Sequence, residues 1–209
     1  ETGTMKWDGK IPFKHTEKLS IKRSDDFDED CLAPQWQWNY QPRKDYFSLT
    51  ERPGWLRLKA YRPLETNNLL KAGNTLTQRT FRKQNNDVTI KMDISNMQDG
   101  QKNGLCHFSS QHSAIGIVKE EDACYLEYRK NGNITKGIQI HSEFIWFRTE
   151  WGMDGKSQYY YSLDGDNFLP FGEKYQLTWG NYRGDRIGIY CFNDKKETGS
   201  VDVDYCHYR

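Results

Sequence analysis

Asp87-Val88-Thr89-Ile90-Lys91-Met92-Asp93-Ile94 carries an apolar side chain at every second residue, with polar or charged residues between. Successive side chains of a strand point to opposite faces, so Val88, Ile90, Met92 and Ile94 share one face while Thr89, Lys91 and Asp93 share the other. A helix would scatter these residues around its circumference. Residues 54–61, Gly-Trp-Leu-Arg-Leu-Lys-Ala-Tyr, alternate in the same way. Each stretch reads as a half-buried strand.

Outward from these two stretches the same period continues through 76–81, 104–109, 114–118, 124–129, 144–148, 158–161, 186–192 and 201–208. Between the runs stand Asp99-Gly100, Asn131-Gly132, Asp154-Gly155 and Asp164-Gly165, where glycine supplies the positive φ that tight turns need. No helix of useful length is evident. Many short strands with turns between them predict an all-β, antiparallel sandwich or barrel. The first 24 residues show no sustained period and read as a leader or interdomain linker, leaving 25–209 as the β domain.

Composition narrows the class further. Leu, Ile, Val and Phe total 40 of 209 residues, and 7 Trp, 13 Tyr and 10 Phe make 30 aromatic side chains. A packed ring buries roughly 150–250 Å², so the rings supply the area that scarce aliphatics do not. The 30 basic and 29 acidic residues leave a net charge of +1, against a polyanion-binding protein and so against nucleic acid as a partner. No apolar run approaches the ~20 residues of a membrane span, so no membrane partner is expected. Five cysteines (31, 106, 124, 191, 206) have neither scaffold nor zinc spacing and read as mostly buried free thiols.

Searches for catalytic motifs come back empty: there is no Gly-x-Ser-x-Gly, no His-Glu-x-x-His and no Gly-rich phosphate loop. A three-carboxylate strand of the form Glu-x-Asp-x-x-Glu begins at Glu120 and Asp122 but meets Tyr125 where the third acid belongs. The five histidines show no ligand spacing, and one glycosylation sequon, Asn133-Ile134-Thr135, sits beside a turn.

The aromatics say more. Trp36, Trp38 and Tyr40 fall at i, i+2 and i+4, on one face if the segment is a strand. Indoles stack on the apolar faces of sugar rings, and neighbouring amides and guanidinium groups bind hydroxyls. The rings are either such a surface or core. The candidate carbohydrate-binding set is Trp36, Trp38, Asn39, Gln78, Arg79 and Trp146, with Trp151 and Trp179 sharing the ambiguity. Acids gather near both ends of the β region. Asp26 and Asp28 at the start, with Asp202 and Asp204 at the finish, are candidate ligands for a structural Ca²⁺ if the first and last strands lie side by side. The alternative is a solvated acidic turn.

A family pattern is also legible. Asp25-Asp26-Phe27, Leu32-Ala-Pro-Gln-Trp-Gln-Trp-Asn39 and Phe47-Ser-Leu-Thr-Glu-Arg-Pro-Gly-Trp-Leu-Arg-Leu58 open the pattern. Asn74-Thr-Leu-Thr-Gln-Arg79, Met97-Gln-Asp-Gly100, Tyr160-Tyr-Ser-Leu-Asp-Gly165, Gly184-Asp-Arg-Ile-Gly-Ile189 and Val203-Asp-Tyr205 follow in order. Together they resemble the C-terminal β-sandwich of family 43 glycoside hydrolases, the β-xylosidases and α-L-arabinofuranosidases, also classed as carbohydrate-binding module family 91.

The resemblance implies a two-sheet, concanavalin A-like jelly roll that is non-catalytic by itself. Its partners would be a catalytic propeller domain and plant cell-wall xylan or arabinoxylan. It also implies a bacterial, secreted or periplasmic setting. Cys206 departs from the pattern, standing where an aromatic is expected after Tyr205. Three roles follow: a xylan-binding or pocket-completing accessory domain, a purely structural partner domain, or an independent jelly-roll glycosidase.

Overall fold

The computed structural model describes Gly3, Gly9, residues 21–180 and residues 183–209. Most of the expected leader, 1–24, lies outside them. The strands run β1 (Gln37–Trp38), β2 (Phe47–Ser48), β3 (Leu56–Lys59), β4 (Thr75–Arg79), β5 (Asn86–Asp93), β6 (Gln101–Phe108), β7 (His112–Glu120) and β8 (Ala123–Lys130). They continue as β9 (Asn133–Ile140), β10 (Phe144–Trp151), β11 (Lys156–Ser162), β12 (Leu169–Pro170), β13 (Tyr175–Gln176), β14 (Arg186–Asn193) and β15 (Ser200–Tyr208). Sheet I has the order β1-β4-β14-β6-β7-β8-β9, and sheet II the order β12-β11-β10-β5-β15-β3-β2, with β13 on β11. Neighbours pair antiparallel throughout, giving the expected two-sheet sandwich.

Every run read from the alternation lies in or across a strand. Val88, Ile90 and Met92 of β5 are fully buried and Ile94 nearly so, on the face turned to sheet I. One long strand escaped the reading, β9, along with the two-residue strands β2, β12 and β13. β9 is the outer edge of sheet I, and most of its residues are exposed, so no alternation marks it. Its turn was legible: Asn131 and Gly132 both take positive φ, 49° and 90°, as a two-residue hairpin turn requires.

The interior between the sheets is filled as the composition demands, by rings beside aliphatics. Tyr159, Phe147, Trp151, Tyr175, Tyr128 and Tyr208 join Leu, Ile and Val side chains in one cluster. Several of the buried polar atoms find partners, while others, His107 Nδ1 and the Tyr190 hydroxyl among them, have none among the described residues. The Trp151 indole donates to the Phe81 carbonyl at 2.7 Å, and the Tyr159 hydroxyl donates to the Ser113 carbonyl at 2.8 Å. His107 lies among these rings with Nε2 2.9 Å from the Thr149 hydroxyl. Burial lowers its pKa to about 3, and burial followed by the nearby Arg129 lowers that of His112 to about 4.

A second, smaller apolar cluster lies on the outer face of sheet I. Leu69 and Ala72, from the segment that links β3 and β4, cover Cys106, Phe108, Ala114, Tyr190 and Phe192. The floor is cut from small residues. A Cβ on Gly116 would lie 2.3 Å from the Tyr190 hydroxyl and 2.0 Å from the Asn103 carbonyl oxygen, so only glycine lets that ring lie across the strand.

The chain's entry is stitched to its end. Asp25 exchanges backbone hydrogen bonds with Cys206 of β15 at 2.9 and 2.7 Å, and its carboxylate accepts the Trp36 indole N–H at 2.8 Å. Cys206 is 1% exposed, so the residue that departs from the family pattern fills a small core position. On the outer face of sheet II, Asp202 stands directly opposite Asp93. Two like charges in that position repel. Arg52 Nη1 bridges them at 2.6 and 2.9 Å, and Arg57 grips Asp202 with Nε and Nη2 at 2.7 and 2.8 Å.

Two outcomes follow from this packing. Asp202→Ala removes the carboxylate that both guanidinium groups share, leaving Arg52 with Asp93 and Arg57 with Glu51, and should cost about 2 kcal/mol, read as a fall of roughly 6 °C in melting temperature; a shift under about 2 °C would contradict the clamp. The histidines set a pH dependence. Their folded pKa values lie below the ordinary value, so the unfolded chain binds the extra protons and stability falls as pH drops through about 6.5. Urea unfolding should show a loss of about 2 kcal/mol per buried histidine between pH 7 and pH 5; a flat profile over that interval would contradict their buried neutral state.

Candidate functional site

The six residues expected to hold sugar do not form one surface. Trp36 is 8% exposed and belongs to the core, its indole N–H committed to Asp25. Trp38 is half-buried and turned inward, packed against Phe47 with ring centroids 4.7 Å apart. The reason is length: β1 is only two residues long, so Trp36, Trp38 and Tyr40 do not share a strand face, and only Tyr40 is exposed. Asn39 is buried, and its amide fastens the covering segment through the Leu70 and Ala72 carbonyls at 3.0 Å each. Gln78 is 1% exposed and donates to the Arg23 carbonyl at 3.0 Å. Trp36, Asn39 and Gln78 are therefore structural groups.

Arg79 and Trp146 remain accessible, on opposite sides of the molecule. Trp146 alternates with the buried Ile145 and Phe147 and so faces outward from sheet II, where Lys91 Nζ lies 5.7 Å from its ring centroid. Arg79 faces outward from sheet I. No single ligand of ordinary size touches both.

The four proposed calcium ligands are also dispersed. Asp202 is held by Arg52 and Arg57, Asp204 by Lys91 Nζ at 2.7 Å, and Asp26 by His207 Nε2 at 2.7 Å. Asp28 stands near Gly54. Among the described residues no three His, Cys, Asp or Glu side chains gather as metal ligands would. The first and last segments do meet, as expected, but what meets there is backbone and cationic side chains.

Arg79 leads to a different site. It is opposed on β14 by Arg186, and Arg186 in turn by Phe108 on β6. Antiparallel partners point to the same face, so the three form a row across the outer face of sheet I. Beside it lie two adjoining grooves of about 410 Å³ each, which share Arg183 and Gly184. One is lined by Tyr40, Leu70, Phe108 and Arg186, and the other by Arg79, Phe81, Arg82 and Trp179. Trp179 is 79% exposed, the most open large apolar side chain among the described residues. Gly180, next to it, packs so closely on Ser110 that a Cβ would meet the hydroxyl at 2.3 Å. The loop that carries the indole is thus held against the end of β6.

The electrostatics of this site are one-sided. Arg82 Nη2 pairs with Asp185 at 2.6 Å. Arg183 Nη1 donates to the Asn39 carbonyl at 3.2 Å. Arg186 is 6% exposed, with Nε on the Thr77 hydroxyl at 2.6 Å and Nη2 on the Thr77 carbonyl at 3.2 Å. Burial, with Arg183 and Arg79 nearby, lowers its pKa to about 10. Among the described residues Asp185 is the one carboxylate lining either groove. Trp179 was visible in the sequence as an ambiguous ring. Arg186 was passed over as part of an apolar strand, although a lone arginine at the head of Arg-Ile-Gly-Ile-Tyr-Cys-Phe was the available signal.

Comparison with known proteins places the chain. Residues 24–209 match the model of the β-xylosidase C-terminal concanavalin A-like domain. A β-xylosidase from Formosa agariphila is 35% identical over 207 residues, covering 90% of this chain and 35% of that protein. A relative from Xylanibacter ruminicola is 30% identical over 165 residues, covering 78% of this chain and 30% of its own length. The chain thus spans about a third of the curated relatives it matches. Among solved structures, a bifunctional GH43-CE protein of Bacteroides eggerthii superposes with a TM-score of 0.81 at 28% identity, over 89% of this chain and 25% of that one. The chain belongs to the family of C-terminal concanavalin A-like domains of family 43 β-xylosidases.

Proposed function

We propose that the chain is a non-catalytic accessory domain of a family 43 glycoside hydrolase acting on xylan or arabinoxylan. Its outer groove beside Trp179 faces the catalytic propeller and completes the substrate pocket there. The observation that carries this reading is an indole 79% exposed on a loop fixed by close packing. An isolated protein gains nothing from holding a Trp in water, whereas a second surface would bury it.

The place where the chain enters supports the same side. Arg23, just before the sandwich, has its carbonyl held by Gln78 Nε2, and its guanidinium lies 5.5 Å from the ring of Phe81, which lines the groove. A domain attached ahead of Arg23 is therefore tethered beside the groove. Trp146, on the far face, favours the second reading, direct stacking of xylan on sheet II, but its ring is half-buried and shared with Lys91.

Grafting this domain onto the catalytic part of the Formosa agariphila relative, in place of that protein's own C-terminal domain, tests the reading. The chimera should hydrolyse nitrophenyl xyloside, and Trp179→Ala should lower kcat/KM about tenfold with an unchanged melting temperature, the scale on which a buried interfacial ring contributes. Unchanged kinetics in that variant would remove Trp179 from the pocket.

A further inference from the structure

Arg79 and Arg186 stand directly opposite on β4 and β14. A like-charged pair in that register is destabilising, and the cost grows when one member is buried, as Arg186 is. Elsewhere the protein neutralises such a pair: Asp93 and Asp202, opposed in the same way on sheet II, are bridged by Arg52 and clamped by Arg57. On sheet I no such counter-charge is found among the described residues. The hydrogen-bond partners of Arg186 are two neutral oxygens of Thr77. Asp185, the one carboxylate lining either groove, is taken by Arg82. Among the described residues no carboxylate forms an ion pair with Arg79 or Arg186.

A guanidinium is a planar fork that matches a carboxylate with two parallel hydrogen bonds, and it is the side chain best suited to that task. Next to the pair lie three apolar planes, Tyr40, Phe108 and Trp179, lining the same adjoining grooves. Their volume, about 410 Å³ each, is of the size that encloses a small ligand. A ligand that fits both features has an apolar ring face and one carboxylate.

We propose that the Arg79–Arg186 groove recognises the carboxylate of a uronic-acid-substituted xylo-oligosaccharide, the acidic branch lying on the arginines and the sugar rings against Trp179. The inference rests on the reading of this face as the one turned to substrate. It adds the substrate class, a charged branch where a neutral chain needs no arginine.

Calorimetric titration of the 209-residue chain with xylotriose bearing one glucuronic acid, against unsubstituted xylotriose, tests it. The acidic sugar should bind at least about tenfold more tightly, with affinity falling as salt rises from roughly 50 to 500 mM. Arg79→Ala, at an exposed position, should abolish that preference and, by relieving the repulsion on Arg186, leave the melting temperature no lower. Arg186→Lys, which keeps the charge but loses the Nε and Nη2 bonds to Thr77 that orient the group, should weaken it about tenfold. Equal affinity for the two sugars, no binding of either, or a preference that survives both variants would overturn the proposal. Loss of hydrolysis on Arg79→Ala in the chimera with no uronate binding to the chain alone would do the same, by assigning the arginines to the catalytic domain. Uronate binding together with an inactive chimera would sustain the proposal and sink the docking.

Discussion

Each strand of a two-sheet sandwich has one face that must be dry, and in this protein that demand is met with few aliphatic residues. Only 14 Leu, 12 Ile and 4 Val are available to a chain of 209 residues. Rings therefore enter the interior in number and bring polar atoms with them. The Tyr159 hydroxyl and His107 are each held by a hydrogen bond from one sheet to the other, and the Trp151 indole by one to the segment that follows β4. Buried polar groups cost free energy unless paired, so these bonds also fix how the sheets sit on each other. Twelve of the 30 aromatic residues are buried, and most of the others are partly covered. Of the aromatics among the described residues only Tyr40 and Trp179 are exposed, few enough that their positions carry meaning.

The two like-charged cross-strand pairs show what that frame permits. Asp93 and Asp202 have nearly the same cross-strand relation on sheet II as Arg79 and Arg186 have on sheet I. The acids are covered by two arginines, one bridging both carboxylates and the other gripping Asp202 with two nitrogens, and the cluster is complete within the chain. The arginines face grooves in which the only carboxylate among the described residues, Asp185, is already paired with Arg82. A complete cluster contributes stability locally. An incomplete one is a cost that an arriving anion would relieve, and that difference is the ground for proposing a ligand at the arginine pair and a purely structural part for the aspartate pair.

Alternation in the sequence carried the fold well because each central strand is wet on one side and dry on the other. β5 declared itself through four apolar residues, while β9 was silent because an edge strand with both faces near water has no contrast to show. The site was less legible for the same physical reason. Trp36-Gln-Trp-Asn-Tyr alternates as a strand does, yet only two residues of it pair, so the face it seemed to present does not exist. Gln78 and Asn39 look like sugar ligands by type, and burial turned both into fasteners of backbone. The acids at 26, 28, 202 and 204 suggested a cation, and the chain supplies cations of its own to two of them, Asp202 and Asp204, and a histidine nitrogen to Asp26. Residue type predicted the partner chemistry in each case; only the register decides which side of the sheet it serves.

Entry of the chain beside the groove adds a further step. Gln78 holds the Arg23 backbone, and Arg23 lies over Phe81 and Tyr208 at 5.5 and 5.4 Å, so the path into the sandwich is pinned within one side chain of the groove wall. A domain linked closely ahead of that point would meet the groove at an effective concentration of about millimolar. Docking there needs only weak intrinsic affinity, and a polar, arginine-rich face is adequate where a free-standing partner would require a broad apolar one. The sparse apolar content at the groove, a single open Trp among arginines, is thus what a tethered interface that must also admit a charged sugar is expected to look like.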